Sequence, residues 1–277
     1  MLLLTAPFPT PPSEAAPTNP PRVGRAVKWR VAVFNVAQIL LVCAVTFVAG
    51  PFTLLLPRDR VRSIANWWCR NNLRLLKAIV GIDLEIRGRE HIPEGAALVA
   101  MKHQSQLETF GVMPCLPDPV FVLKRELTWL PFFGWFLIRL RMIAIDRKSG
   151  QEALGQMIAQ AETAKREGRQ IVIFPEGTRR EVGAPPRYKL GVTHLYDRLK
   201  LPCTPVAIDT GAFWPKGARE RRQGRAVIEF LEPIPAGLPR ETFQKLLVDR
   251  IETATNTLIA QAYGEPSPAR SGMVERN

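Results

Sequence analysis

The chain has 277 residues, 46% of them hydrophobic, which is enough for one sizeable core and leaves room for an appendage. Its formal net charge of +13 points to an anionic partner, whether nucleic acid, a membrane surface or a phosphorylated substrate, and composition alone does not choose among them. Cys43, Cys69, Cys115 and Cys203 are far apart and form no CxxC pair, which excludes a cysteine metal cluster, argues against a disulfide framework and fits reduced, buried thiols in a cytosol-facing protein.

Residues 1–27 are rich in proline and are predicted to be a disordered tail. Leucines stand near the start, but no basic region precedes them and the prolines prevent a helical apolar core, so a signal peptide is not expected. Residues 28–80 are predicted to be membrane-anchoring helices. From Val31 to Ala49 no residue is charged, and a 19-residue helix there would be about 28 Å long, near the thickness of a hydrocarbon core. A buried soluble helix is the alternative. Gly50-Pro51 interrupts the run, because Pro51 removes a backbone donor and disfavours helix just before it. The following "RDRVRSIANWWCRNNLRLLKAIVGI" is amphipathic, with tryptophans beside arginines as suits a headgroup zone. Basic residues precede the apolar run (Arg22, Arg25, Lys28, Arg30) and follow it (Arg58, Arg60, Arg62), so the positive-inside rule places both flanks in the cytosol. A helical hairpin dipping into one leaflet satisfies both flanks; a single-pass anchor is the alternative. The expected location is the inner, cytoplasmic membrane with the active site facing the cytoplasm.

Residues 81–263 read differently. "DLEIRG" alternates like a strand, and "AALVAM", "VFVLK", "RMIAID" and "QIVIFPEG" are short apolar runs bounded by Pro, Gly or charge. "SGQEALGQMIAQAETAKREG" has helical spacing with a stop at Gly168; "KLGVTHLYDRLK" is a helix, "CTPVAIDTG" and "RAVIEFLEP" are strands, and "PRETFQKLLVDRIETATNTLIAQAYG" closes the domain as a helix. Strands alternating with helices predict an α/β fold with a mixed, largely parallel sheet flanked by helices. "LTWLPFFGWFLIRLRM", with its two tryptophans and three phenylalanines, is either a core helix or a surface that meets lipid. Residues 264–277 are predicted to be a second disordered tail.

In such sheets chemistry collects at the carboxyl ends of the strands. Three polar clusters fall there: "KHQSQLE", "IDRKSG" and "FPEGTRR". In one regular helix His103 and Glu108 would lie about 140° apart, since five residues turn about 500°. With His103 at a strand end and Glu108 in the first turn of the next helix, a bend brings the side chains together. The carboxylate then fixes the tautomer and leaves the other ring nitrogen to take a proton. A structural histidine beside a helix-start carboxylate fits the spacing as well. In "FPEGTRR", Gly177 lets the backbone approach a ligand, Arg179 and Arg180 are cations suited to phosphate, and Glu176 is placed to hold an arginine; an ordinary charged turn is the alternative. Arg147 in "IDRKSG" is a further anion-binding candidate or half of a surface ion pair. His194, in a predicted helix, is read as packing or surface.

In order and spacing these clusters resemble the motif blocks of the glycerolipid acyltransferases, the 1-acylglycerol-3-phosphate acyltransferase (PlsC-like) family. That family's first block is a histidine, four residues, then an aspartate; His103 and Glu108 stand there, with glutamate in the acid position. Ile145, Asp146 and Arg147 match the second block, Phe174 to Arg179 the third, with Arg180 where a serine is usual, and Thr204 to Ile208 the fourth. "YKLG", Tyr188 to Gly191, resembles a run that follows the third block. The resemblance covers about residues 60–235. It implies transfer of a fatty acyl group from acyl-ACP or acyl-CoA to the free sn-2 hydroxyl of lysophosphatidic acid, giving phosphatidic acid. The implied partners are that donor, a lysophospholipid acceptor and membrane lipid, with no nucleic acid, no cofactor, no metal and no covalent acyl-enzyme. His103 would be the general base, oriented by Glu108. Arg147 and Arg179 would hold the acceptor phosphate with Lys189 beside them, and Glu176, Gly177 and Thr178 would shape that pocket. Rival readings are the same transfer to another acceptor, such as a lyso-ornithine lipid, and a basic membrane-surface or nucleic-acid-binding protein without catalysis.

Overall fold

Short runs of aliphatic residues, cut by Pro, Gly or charge, become seven strands: β1 (Ile82–Arg87), β2 (Ala97–Met101), β3 (Pro119–Lys124), β4 (Ile143–Ile145), β5 (Gln170–Ile173), β6 (Cys203–Ile208) and β7 (Gly224–Phe230). The computed structural model describes residues 26–146, 149–217 and 221–264. The strands form one sheet in the order β1-β7-β6-β2-β5-β3-β4. From β6 to β4 every neighbour is parallel, whereas β7 runs antiparallel to β6 and carries β1 parallel to itself. The expected mixed, largely parallel sheet is therefore present.

The eight α-helices are α1 (Ala26–Ala49), α2 (Arg58–Leu75), α3 (Leu107–Val112), α4 (Phe133–Arg139), α5 (Gly150–Arg166), α6 (Gly191–Leu199), α7 (Thr210–Phe213) and α8 (Arg240–Tyr263) among the described residues. They cover both faces of the sheet, which is why the central strands are apolar throughout rather than alternating. The two-residue period of a strand still sorts the side chains. Val99, Met101, Val172 and Val206 pack with α1, α2, α3 and α4 on one face. Leu98, Ala100, Ile171 and Ile173 pack with α5, α6 and α8 on the other.

Helices α1 and α2 share the first of these cores, through Val31, Phe34, Val61 and Cys69. Asn35 of α1 accepts a hydrogen bond from the buried Arg221, at 2.8 Å, and the Arg221 guanidinium lies over the rings of Phe34 and Trp214. The opposite side of α1 is bare: Trp29, Val36, Ile39, Leu40, Phe47 and Val48 are exposed. Lys28–Phe52 is long and apolar enough to cross a membrane, yet one of its faces is docked on the α/β domain.

The sheet is pinned at the edge away from the polar clusters. Arg169, buried just before β5, donates to the carbonyls of Pro119, Leu140 and Arg141 and pairs with Asp118 at 3.3 Å. Because β2, β3, β4, β5 and β6 are parallel, their carboxyl ends all open on the other edge.

Candidate active site

β2 stops at Met101, and the chain turns before α3 starts at Leu107. The turn places His103 at the strand end and Glu108 in the helix's first turn. The two meet as the bent geometry requires: His103 Nδ1 lies 2.8 Å from Glu108 Oε1. The backbone N–H groups of Gln104 and Ser105 donate to the same oxygen, at 2.8 and 2.7 Å. The Thr210 hydroxyl donates to Oε2 at 2.8 Å. Glu108 is wholly buried, while the His103 side chain keeps 19% of its surface exposed. A carboxylate is acceptor-only, so the shared bond puts the proton on Nδ1 and leaves the Nε2 lone pair as the ring's basic atom. The imidazole also stacks on Phe174, centroids 3.9 Å apart, which limits its tilt.

β5 ends at Ile173, and Pro175 prevents its continuation. The chain reverses through Gly177, whose φ of +68° suits glycine and whose N–H bonds the Phe174 carbonyl at 2.9 Å. The Gly177 amide is thus already committed. Among the described residues, no backbone or side-chain acceptor is bonded to the N–H groups of Thr178 and Arg179. Two backbone bonds tie this turn to its neighbours: Arg180 N–H to the His103 carbonyl at 2.7 Å, and Lys189 N–H to the Pro175 carbonyl at 2.9 Å.

The first and third clusters share one cavity of about 420 Å³. His103, Gly177, Thr178 and Arg179 line it together; most of the remaining wall is apolar, including Val42 and Val45 of α1, Trp68 of α2, Phe136 and Leu137 of α4, and Phe121 and Met142. Arg179 is half-buried, and among the described residues no carboxylate pairs with it. The cavity therefore offers a base, an unneutralised guanidinium and a long apolar surface in one space.

The other candidates are placed differently. Lys189 is exposed, its side chain beside Gly177 so that an added Cβ there would meet Nζ at 3.2 Å. Arg180 is turned outward enough to donate to the Pro185 carbonyl. Arg147 lies outside the described residues; its neighbour Asp146 pairs with Arg125 at 2.6 Å. Glu176 is not on the cavity wall. It is buried on the α8 side, where burial pushes its carboxyl up to about 7 against the partial opposition of the Lys102 ammonium. Lys102 itself bonds both oxygens of Glu252 at 2.5 and 2.7 Å, and the Tyr188 hydroxyl donates to Glu252 at 2.8 Å. His194 sits in α6, away from the cavity lining, and burial lowers its pKa. Burial also pushes the Cys69 and Cys203 thiols up to about 12, which leaves them unreactive.

Sequence reasoning missed Thr210 and the Lys102–Glu252–Tyr188 group. A signal for Thr210 existed: it stands two residues past the end of β6, at the same carboxyl edge as the three clusters.

A family model described as Acyltransferase matches residues 83–209. The 1-acyl-sn-glycerol-3-phosphate acyltransferase of Pseudomonas aeruginosa is 39% identical over 198 residues, which is 70% of this chain and 77% of the relative. The 1-acyl-sn-glycerol-3-phosphate acyltransferase alpha of Homo sapiens is 31% identical over 190 residues, 67% of each chain. Among solved structures, the 1-acyl-sn-glycerophosphate (LPA) acyltransferase PlsC of Thermotoga maritima has the same fold, with a TM-score of 0.68 over 87% of this chain and all of that one, at 20% identity.

Proposed function

The chain belongs to the 1-acyl-sn-glycerol-3-phosphate acyltransferase family, and from that premise we propose that it transfers a fatty acyl group from acyl-CoA or acyl-ACP to the sn-2 hydroxyl of lysophosphatidic acid, giving phosphatidic acid. It is an acyltransferase; the donor, the acceptor and the residue roles are the proposal. One observation carries it: the His103–Glu108 pair opens onto the same cavity as Arg179, with apolar wall beyond.

His103 Nε2 takes the proton of the acceptor hydroxyl as its oxygen attacks the thioester carbonyl carbon. The C–O bond forms and negative charge moves to the carbonyl oxygen. The N–H groups of Thr178 and Arg179, two residues that line the cavity, are unbonded among the described residues and available to receive that charge. The C–S bond then breaks, and the protonated His103 returns its proton to the departing thiolate. Arg179 binds the acceptor phosphate, its planar fork suited to two oxygens at once, with Lys189 and Arg147 as further candidate cations. Gly177 keeps the turn close to the substrate, and Glu176 supports that turn from beneath. The apolar wall holds an acyl chain with its reactive end at His103.

Helix α1 supports a hairpin seated in one leaflet. Its inner face is packed on the domain and lines the cavity while its outer face is apolar, an arrangement that favours lying in one leaflet over crossing alone. Trp129, Leu130 and Ile138 extend the exposed apolar surface near Phe132, which packs on Phe47 of α1. This seating brings the cavity to the lipid on the cytoplasmic side of the inner membrane, where a lysophospholipid is found.

The test is conversion of lysophosphatidic acid and an acyl donor to phosphatidic acid by the purified full chain, with a panel of other lyso-lipids as acceptors. His103→Ala is expected to lower the rate by about 10²–10⁴-fold while the protein still sediments with vesicles. A variant that retained wild-type turnover would remove His103 as the base; a wild-type chain active only on a phosphate-free acceptor would overturn the substrate assignment.

A further inference from the structure

A carboxylate on a glutamate arm has enough torsional freedom that one anchored oxygen does not fix its plane. In this chain Glu108 Oε1 receives the His103 ring and two backbone N–H groups, and Oε2 is held from the opposite side by Thr210. We propose that Thr210 is a positioning residue for acyl transfer, its hydroxyl locking the Glu108 carboxylate so that Oε1 faces His103 Nδ1 and the imidazole stays in the Nδ1–H tautomer. The inference rests on the acyl-transfer reading above.

Three features of the structure carry it. First, Thr210 and Glu108 are both wholly buried, so water does not substitute for the hydroxyl, and a lost donor leaves Oε2 unpaired. Second, the hydroxyl stands on a fixed platform. Asp209 accepts the Val227 N–H at 2.6 Å, Trp214 N–H bonds the Thr210 carbonyl at 2.9 Å, and the Arg221 guanidinium lies over the rings of Trp214 and Phe34. Third, the chain makes room for this approach at Gly211. A Cβ there would fall 2.8 Å from Gln104 Cβ and 2.9 Å from Val182 Cγ2, so glycine lets α7 lie directly against the segment that donates the Gln104 amide to Glu108. Thr210 does not line the cavity, so its influence on the reaction passes through Glu108.

The experiment uses the full chain in lipid–detergent micelles, with Thr210→Val to delete the hydroxyl at nearly constant shape, Thr210→Ser to keep it, Glu108→Gln, and the Val/Gln double variant. Thr210→Val is expected to lower kcat about 10–30-fold, with KM for the acceptor changed less than about twofold, and Thr210→Ser to recover most of the loss. In the Glu108→Gln background, Thr210→Val is expected to change kcat less than about twofold, because the route through the carboxylate is already cut. Wild-type kcat in Thr210→Val, or the same fold loss in both backgrounds, overturns the inference; the second outcome would assign Thr210 a merely structural role. An inactive wild-type chain would instead overturn the acyl-transfer reading, and the ring tautomer then decides on Thr210. With ¹⁵N-histidine in a chain that has three histidines, and His103→Ala to assign the signal, the wild type is expected to show His103 as the Nδ1–H form and Thr210→Val a mixture. An unchanged tautomer in Thr210→Val overturns the proposal without reference to activity; should Thr210→Val not fold, Thr210→Ala is read in its place.

Discussion

Glu108 and Glu176 stand just beyond the ends of neighbouring parallel strands, both buried, and their surroundings are opposite. Four donors converge on Glu108: a ring N–H, two backbone N–H groups and a hydroxyl. On the Glu176 side the Lys102 ammonium is bonded to Glu252 instead, and among the described residues no side chain hydrogen-bonds Glu176. One carboxylate is organised to act on a neighbour. The other bears a burial penalty beneath the turn that carries Arg179. The two teach that burial alone does not mark a functional carboxylate; the donors around it do.

The same substitution applied to each separates them. Glu108→Gln is expected to reduce kcat about 10²-fold, because the amide presents a mismatched group to donors that surround both oxygens and no longer fixes the histidine tautomer, while acceptor KM changes little. Full activity in Glu108→Gln would remove its orienting role and erase the contrast. Arg179→Ala probes the space between the two and is expected to have a smaller effect of a different kind. Loss of a charge-assisted, two-point phosphate contact is expected to raise acceptor KM about tenfold or more with a lesser change in kcat. An unchanged KM for lysophosphatidic acid would take Arg179 out of the phosphate site.

How far each side was legible in the sequence follows from contact range. His103 and Glu108 are five residues apart, so a strand end and a helix start were enough to pair them. The apolar runs bounded by Pro and Gly were enough for the sheet, since a strand buried on both faces leaves that signature. Thr210 was hidden because its partner lies 102 residues away, and the Lys102–Glu252 pair because it spans 150. Neither distance carries a local pattern. Glu176 illustrates another limit: the sequence groups it with Gly177, Thr178 and Arg179, but the run lies in the turn past β5, reversed at Gly177, where side-chain direction follows no fixed period. Thr178 and Arg179 reach the cavity, and Glu176 goes into the interior. In α1 the apolar run was visible, while its division into a docked face and a bare face was not, because apolar residues occupy both.

Glu176→Gln makes the smallest change and sharpens the comparison most. Burial pushes the Glu176 carboxyl up to about 7 from an ordinary value near 4.5. Below about pH 4.5 the group is protonated in folded and unfolded chains alike and contributes no difference. As pH rises from there towards 7, the unfolded chain releases the proton while the folded chain keeps it, so stability falls; above about 7 the full penalty is present, roughly 3 kcal/mol as an upper figure. Glutamine has the same shape and no charge, so it escapes that penalty. The variant is therefore expected to melt several degrees above the wild type at pH 8, and the difference is expected to shrink towards zero near pH 5. Its kcat is expected to fall far less than that of Glu108→Gln. A melting difference that is the same at both pH values would show that the folded protein does not hold the Glu176 proton, and that the two buried glutamates are more alike than their donors indicate.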